Sequence, residues 1–235
     1  MNLLQKITNK MCNYSDEESI AYKLRVERGK KIIAMIDRTF LSLGGVKIAD
    51  IGGSEKYWSI LPKGYLKARN VSITIINLGD ECKIIDHSTF DYIKGDGRNL
   101  TFIPNNTFDL LHSNSVIEHV GCWECQQDFA NEVNRISKSY YIQTPYFYFP
   151  IDPHSMIPFF QFLSDDIKIR LLENFDIGHY RKQNREGAIE IVDSTKMLNR
   201  QEFETLFPNA NVEYEKFLGI PKSLIAIKEL QWNIY

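Results

Sequence analysis

VKIADIGG, residues 46–53, is an apolar run that ends in a carboxylate and two glycines. A run of this length bounded by turn residues predicts a strand buried on both faces, the kind a parallel sheet needs. Glycine lets a sharp strand-to-helix turn come close to a ligand without a Cβ in the way, and the helix start beyond it offers unpaired N–H groups. The stretch therefore predicts a parallel sheet whose strand tips meet a nucleoside-type ligand.

The same pattern extends in both directions. Upstream, Ser15 and Glu18 form a capping-box pattern, and 16–41 has helical character with Ile20, Leu24, Ile32, Ile33, Met35, Ile36 and Phe40 as an uneven apolar stripe. Gly44 and Gly45 stop that helix. Downstream, VSITIINL at 71–78, 90–94 and 108–112 read as the next three strands, followed by a helix over 123–136 and a fifth strand over 139–143. From Tyr146 to about Asp193 the rhythm breaks. An aromatic and proline-rich segment, YFYFPIDPHSMIPFFQFL, precedes a charged helical run at 167–174. Apolar material of this kind must be buried against something, and a lid or acceptor-pocket wall is the expected role. A helix within 198–210 and two strands at 211–219 and 223–230, joined by a turn around Pro221, close the pattern.

At 235 residues, 43% hydrophobic and 25% charged, the chain can bury one large core, and its net charge of −2 gives no global pull toward nucleic acid. Lys23, Arg25, Arg28, Lys30, Lys31 and Arg38 make the N-terminal arm locally basic, and a solvated helix face is the expectation for them. MNLLQKITNKMC is interrupted by Gln5, Lys6 and Lys10 and does not read as a signal peptide; no run approaches the roughly 20 apolar residues of a membrane span. Cytoplasmic residence is the default expectation. Four cysteines, Cys12, Cys82, Cys122 and Cys125, do not make a disulfide framework. The CWEC pair at 122–125 has no second pair to complete a zinc site, so a place at a helix start is expected for it.

The chemistry is concentrated at the predicted strand ends. Asp50, Gly52 and Gly53 form the first constellation, but IGGSEKYW lacks the full GxGxxG that cradles a diphosphate, which disfavours a NAD or FAD oxidoreductase. S-adenosylmethionine, which has no diphosphate, suits the loop better. Asn77 occupies the place where an acid would bind ribose hydroxyls, and its amide can do so without charge assistance. Asp96 is positioned either to accept from an adenine amino group or to organise an Asx turn with Gly97. Ser113, Asn114 and Ser115 are short polar groups suited to a methionine moiety.

The segments ADIGGSEKYW, GDGRNLTF, NTFDLLHSNSVIEHVG, TPYFYFPIDPHSMIPFFQFL and FLGIPKSLIAI resemble the class I S-adenosylmethionine-dependent methyltransferases. More narrowly, they resemble a bacterial type 11-like branch with a proline-histidine motif after the fifth strand. The resemblance covers about 45–230. It implies an α/β, Rossmann-like sheet of seven strands in the order 3-2-1-4-5-7-6 with an antiparallel seventh strand and helices on both faces. Residues 1–44 would be a helical arm, 45–235 the methyltransferase domain, and 146–193 an insertion. It assigns Asp50, Gly52 and Gly53 to the cofactor loop, Asn77 to ribose, Asp96 to adenine, and Ser113 with Asn114 to the wall after strand four; Ser54, as a further donor, and Gly97, beside Asp96, are also expected to bind the cofactor. The chain departs from the pattern at Ser54 and Lys56, where further glycines are common.

Methyl transfer needs alignment above all, plus a base when the acceptor is a hydroxyl. His154, after Asp152–Pro153, reads as that base or as a residue tying its loop down; His119, after Glu118, belongs to the active mouth or to the turn after strand four. Tyr146, Phe147, Tyr148, Phe149, Phe159, Phe160 and Phe162 suit a sugar- or ring-binding surface and the anchoring of the insertion alike. The expected activity is methylation of a small molecule or glycan, with oxygen favoured over nitrogen. The alternative is a noncatalytic binding or structural protein that keeps the sheet and has lost effective cofactor binding.

Overall fold

The computed structural model describes residues 18–79 and 83–230. Its centre is a seven-stranded sheet of β1 (Val46–Ile51), β2 (Val71–Asn77), β3 (Phe90–Lys94), β4 (Phe108–Asn114), β5 (Ser137–Pro145), β6 (Asn211–Phe217) and β7 (Ile220–Lys228), in the order β3-β2-β1-β4-β5-β7-β6. The first five strands pair in parallel, and β7 runs antiparallel to both β5 and β6. This is the sheet expected from the resemblance, including its reversed last strand.

Alternation along the strands divides the core into two layers. Ile48, Ile73, Ile75, Leu110 and Tyr141 face one side; Ala49, Ile76, Leu111, Tyr140 and Ile142 face the other. Helix α1 (Ile20–Leu43) covers the first side with Ile32, Met35 and Ile36, joined by Tyr57, Trp58 and Leu61 from around the short helices α2 (Glu55–Trp58) and α3 (Tyr65–Ala68). Helices α4 (Trp123–Ile136) and α7 (Arg200–Leu206) cover the second with Phe129, Val133, Ile136 and Phe203. Among the described residues no helix lies between β2 and β3 or between β3 and β4.

Ser19 caps α1 by accepting the Tyr22 N–H at 3.0 Å, and Gly44 ends it at φ 72°. The expected Ser15 cap lies outside the described residues, as do Cys12 and Cys82. The basic arm is a solvated face at Lys23, Lys30 and Arg38, as expected, and departs from it at Arg28. Arg28 is buried and grips Glu215 on β6 bidentately at 2.6 and 2.7 Å, while Lys31 pairs with Glu213 and Arg38 with Glu229. The last hairpin is acidic where the helix crosses it, so these charges are met inside the molecule. The final turn also differs from its expected place around Pro221. It is the two-residue turn Leu218–Gly219, with φ 50° and 83°, because positive φ at both central residues matches strand twist; Pro221 lies in β7.

The segment after β5 carries α5 (Asp165–Asn174) and α6 (Arg185–Ser194), packed through Leu172, Ala188 and Val192 into a small core of their own. No described helix is long and apolar enough to cross a membrane.

Candidate active site

The tips of β1 to β4 lie along one edge of the sheet. At the first tip Gly52 adopts φ +74°, and a Cβ there would come within 2.2 Å of Val116 Cγ2; at Gly53 it would lie 1.7 Å from Asp50 Oδ2. Both positions require glycine because the loop is pressed between the segment after β4 and the carboxylate beneath. Asp50 itself has no exposed surface. It accepts from Trp58 Nε1 at 2.8 Å and contacts His112 Nδ1 at 2.7 Å. Its influence on a ligand therefore passes through the loop it braces. Ser54 is exposed at the start of α2, and its hydroxyl makes no capping bond.

Asn77, half-buried at the tip of β2, donates from Nδ2 to the Gly53 carbonyl at 3.1 Å. Asp96 stands beside it, since the Gly95 N–H after β3 donates to the Asn77 carbonyl at 2.9 Å. The Asx turn weighed for Asp96 is present: Oδ1 accepts the Arg98 N–H at 2.9 Å. The Arg98 side chain also binds both carboxylate oxygens, with Nη2 to Oδ2 at 2.7 Å, and this hydrogen bonding holds the Asp96 carboxyl below its ordinary range. Gly97 packs inward, where a Cβ would lie 3.0 Å from Ile51 Cγ2. Ser113 is buried and donates to the Ile51 carbonyl at 3.0 Å; Asn114 Oδ1 accepts from Arg28 Nη1 at 2.7 Å. The fold thus brings Gly52, Gly53, Asn77, Asp96 and Asn114 to one edge, with Asp50 and Ser113 enclosed beneath it.

A second constellation adjoins the first. The 3-10 turn Ile117–His119 follows β4 and Val116, and the insertion folds back to place His154 against it. His154 Nε2 lies 3.1 Å from His119 Nε2. Glu118 is wholly buried; its Oε2 accepts from Thr144 Oγ1 at 2.9 Å, while Oε1 is enclosed without a hydrogen-bond partner. Burial pushes the Glu118 carboxyl up to about 7 and, with the His154 charge adding to it, pushes the His119 imidazole down to about 4. Burial also works against charge on His154, but the Asp152 and Glu118 carboxylates prevail and the net direction is upward. Asp152 Oδ2 sits 3.7 Å from His154 Nδ1, a charge contact too long for a hydrogen bond.

The loop carrying His154 is also firmly tied down. Asp152 Oδ1 accepts the N–H groups of His154 and Ser155, the His179 N–H donates to the His154 carbonyl at 2.9 Å, and the Tyr180 ring stacks over the imidazole at 6.3 Å. The sequence singled out His154 and, apart from it, the adjacent pair Glu118 and His119. Their convergence with Thr144 had no local signal, because it arises from the return of the insertion.

A cavity of about 430 Å³ beside this cluster is lined by residues including Asp152, Tyr180, Gln126, Lys196, Trp123 and Cys122. A wider cleft of about 930 Å³ runs between α2–α3 and residues 83–90. Neither is lined by Gly52, Asn77 or Asp96. Cys122 and Cys125 occupy the start of α4 with their sulfurs 2.9 Å apart. Tyr148, Phe159 and Phe162 form an exposed aromatic group on the insertion, with Phe147 packed against Phe162 at 5.0 Å.

No family model and no curated protein matches this sequence. Solved structures do match in shape. A possible exported protein from Bordetella parapertussis is 10% identical, with 86% of this chain and 68% of that one covered and a TM-score of 0.50. A SAM-dependent methyltransferase from Methanosarcina mazei is 13% identical over 80% of this chain and 94% of its own, with a TM-score of 0.48. An O-methyltransferase family protein from Burkholderia thailandensis is 8% identical with a TM-score of 0.47; 87% of this chain is covered, and the chain spans 57% of that protein's length. At these identities the likeness concerns the fold. That fold is a Rossmann-like seven-stranded sheet with a reversed β7.

Proposed function

We propose that the protein is an S-adenosylmethionine-dependent methyltransferase of the type 11-like branch, acting on a small molecule or glycan and preferring an oxygen acceptor. The observation that carries this reading is the meeting of the Gly52–Gly53 loop, Asn77 and Asp96 at the tips of three adjacent parallel strands. The fit to the cofactor rests on two features. Gly52 is exposed at positive φ with Val116 packed against it, and the Asn77 amide stands immediately beside the loop, donating to the Gly53 carbonyl.

Gly52, Gly53 and Ser54 would hold the cofactor through backbone and hydroxyl groups, Asn77 would bond the ribose, Asp96 and Gly97 would meet the adenine, and Ser113 with Asn114 would back the methionine portion. Asp50 supports this set from below by fixing the loop. Bound S-adenosylmethionine supplies a methyl group on a sulfonium and a neutral thioether leaving group, so alignment and water exclusion account for most of the acceleration. An oxygen acceptor would have to give up its proton on methylation. His154 is the residue through which it leaves in this reading, with Asp152 beside Nδ1 to stabilise the charge it gains. The insertion 146–193 acts as the acceptor-side wall, and the exposed rings of Tyr148, Phe159 and Phe162 suit the apolar face of a sugar or an aromatic acceptor.

Titration with S-adenosylhomocysteine tests the cofactor assignment. Saturable binding to the folded protein is expected; absence of binding, with the Asp96 carboxylate retained by Arg98, favours the noncatalytic alternative. Thermal stabilisation by NAD would instead point to an oxidoreductase. With an acceptor in hand, His154→Ala is expected to lower turnover while sparing S-adenosylhomocysteine affinity, and an unchanged rate removes His154 from the reaction.

A further inference from the structure

We propose that Glu118, His119 and His154 bind a divalent transition-metal ion of the zinc class, with a fourth coordination position left open toward the acceptor side. One possible ligand atom from each of the three residues falls within 4.8 Å of the other two. The two imidazole Nε2 atoms are 3.1 Å apart. Two nitrogens bound to one tetrahedral ion at 2.0–2.1 Å stand about 3.3 Å from each other, so the observed separation is close to that of co-ligands.

The orphaned oxygen of Glu118 is an independent observation pointing the same way. A carboxylate enclosed in protein normally has its acceptor positions filled, and an unfilled one marks a place where a partner belongs. Thr144 fixes Oε2, which leaves Oε1 as the uncommitted atom of a side chain with no exposed surface. The surrounding shell also matches what a metal site needs. Thr144 orients the carboxylate, Asp152 lies behind the distal nitrogen of His154, and Tyr180 covers the ring. That Nδ1 is likewise enclosed without a hydrogen bond.

Two imidazoles and one carboxylate select a borderline transition ion over Mg²⁺ or Ca²⁺, which prefer oxygen ligands throughout. Three protein ligands are the number that catalytic zinc sites use when they keep one position for water or substrate. At that position the ion would acidify an acceptor hydroxyl, whose proton would pass to solvent, and His154 would then serve as a ligand in place of the base. Ion binding itself does not depend on the methyl-transfer reading and is measured without cofactor.

The experiment is calorimetric titration of the EDTA-treated, metal-depleted full chain with Zn²⁺ and separately with Mg²⁺, together with elemental analysis. About one equivalent of Zn²⁺ and no Mg²⁺ binding are expected. Glu118→Gln, which keeps shape, His119→Ala and His154→Ala should each weaken Zn²⁺ binding by at least about tenfold, and Thr144→Val by about tenfold through loss of carboxylate orientation. Circular dichroism confirms that each variant is folded. The double variant Cys122→Ser/Cys125→Ser should retain the ion, and the Co²⁺ form should lack a thiolate charge-transfer band. Loss of zinc in the cysteine variant with retention in Glu118→Gln overturns the site, as does equal affinity for Mg²⁺ or no zinc binding at all. S-adenosylhomocysteine binding without zinc binding sinks the metal site alone; zinc binding without S-adenosylhomocysteine binding sinks the methyltransferase reading alone.

Discussion

Two carboxylates are wholly buried near the same edge of the sheet, and they live in opposite circumstances. Asp50 spends one oxygen on Trp58 Nε1 and the other on His112 Nδ1. Glu118 has Thr144 on one oxygen and nothing on the other. A buried acceptor with both positions filled fixes geometry, and here it fixes the loop that carries Gly52 and Gly53. A half-filled one stores an unmet demand that a ligand can meet. The difference separates a brace from a site, even though the two residues have equal burial and neighbouring positions in the fold.

The sharpest way to break this comparison is to remove the brace. Asp50→Ala leaves two enclosed ring nitrogens unpaired and is expected to cost about 3–5 kcal/mol in urea-unfolding stability; a cost under about 1 kcal/mol would mean that the loop does not lean on Asp50. A half-buried carboxylate, Glu215, extends the series. Its side chain is 9% exposed and that of its partner Arg28 is 7% exposed. Arg28→Ala strands the Glu215 charge and should cost about 2–4 kcal/mol by the same measurement. Burial works to raise the Glu215 carboxyl, yet Arg28 and then Lys222 outweigh it and hold it below its ordinary 4.5. The stability this pair adds is therefore complete above pH 4.5 and drains away as the pH falls through the depressed folded value. Acid titration of Arg28→Met/Glu215→Leu should show that this part of the decline has gone.

Smaller effects sharpen the cofactor side. Asp96→Ala is expected to weaken S-adenosylhomocysteine binding by about 10- to 100-fold, as for loss of a charged hydrogen bond, and Asn77→Ala by about 3- to 10-fold, as for a neutral one. Calorimetry on the folded variants checks both, and unchanged affinity in either removes that residue from the site. The smallest effect belongs to Glu118→Gln. It keeps an acceptor for Thr144 and removes an awkward buried group, so unfolding stability should move by no more than about 1 kcal/mol. A loss as large as that for Asp50→Ala would make Glu118 a second brace.

Strand β1, strand β3 and helix α4 were legible to the residue because glycines, a capping cysteine and strict apolar periodicity punctuate them locally. Strands β4 and β5 run further than expected, since Ser113, Asn114, Ser137 and Pro145 look like loop residues until neighbouring strands pair with them. Helix α6 escaped notice because Gly187 stands in its first turn, where the Asn184 side chain accepts its N–H and offsets its weak propensity. The tips at Gly52, Asn77 and Asp96 could be placed from strand ends alone. The Asx turn at Asp96 was likewise local, its Arg98 partner being two residues on, whereas the burial of Arg28 and the meeting of Glu118 with Thr144 and His154 depend on chain crossings that no local pattern encodes.

The clasp between Arg28 and Glu215 spans 187 residues of chain. During synthesis at roughly 5–20 residues per second, the guanidinium emerges about 10–40 s before its carboxylate exists. Until then α1 lacks that clasp, although Ile48, Ile73 and Leu110, against which its stripe of Ile32, Met35 and Ile36 packs, are already made. A nascent chain of this protein can thus bury the apolar face of α1 early, while the guanidinium of Arg28 stays without its carboxylate until β6 is made.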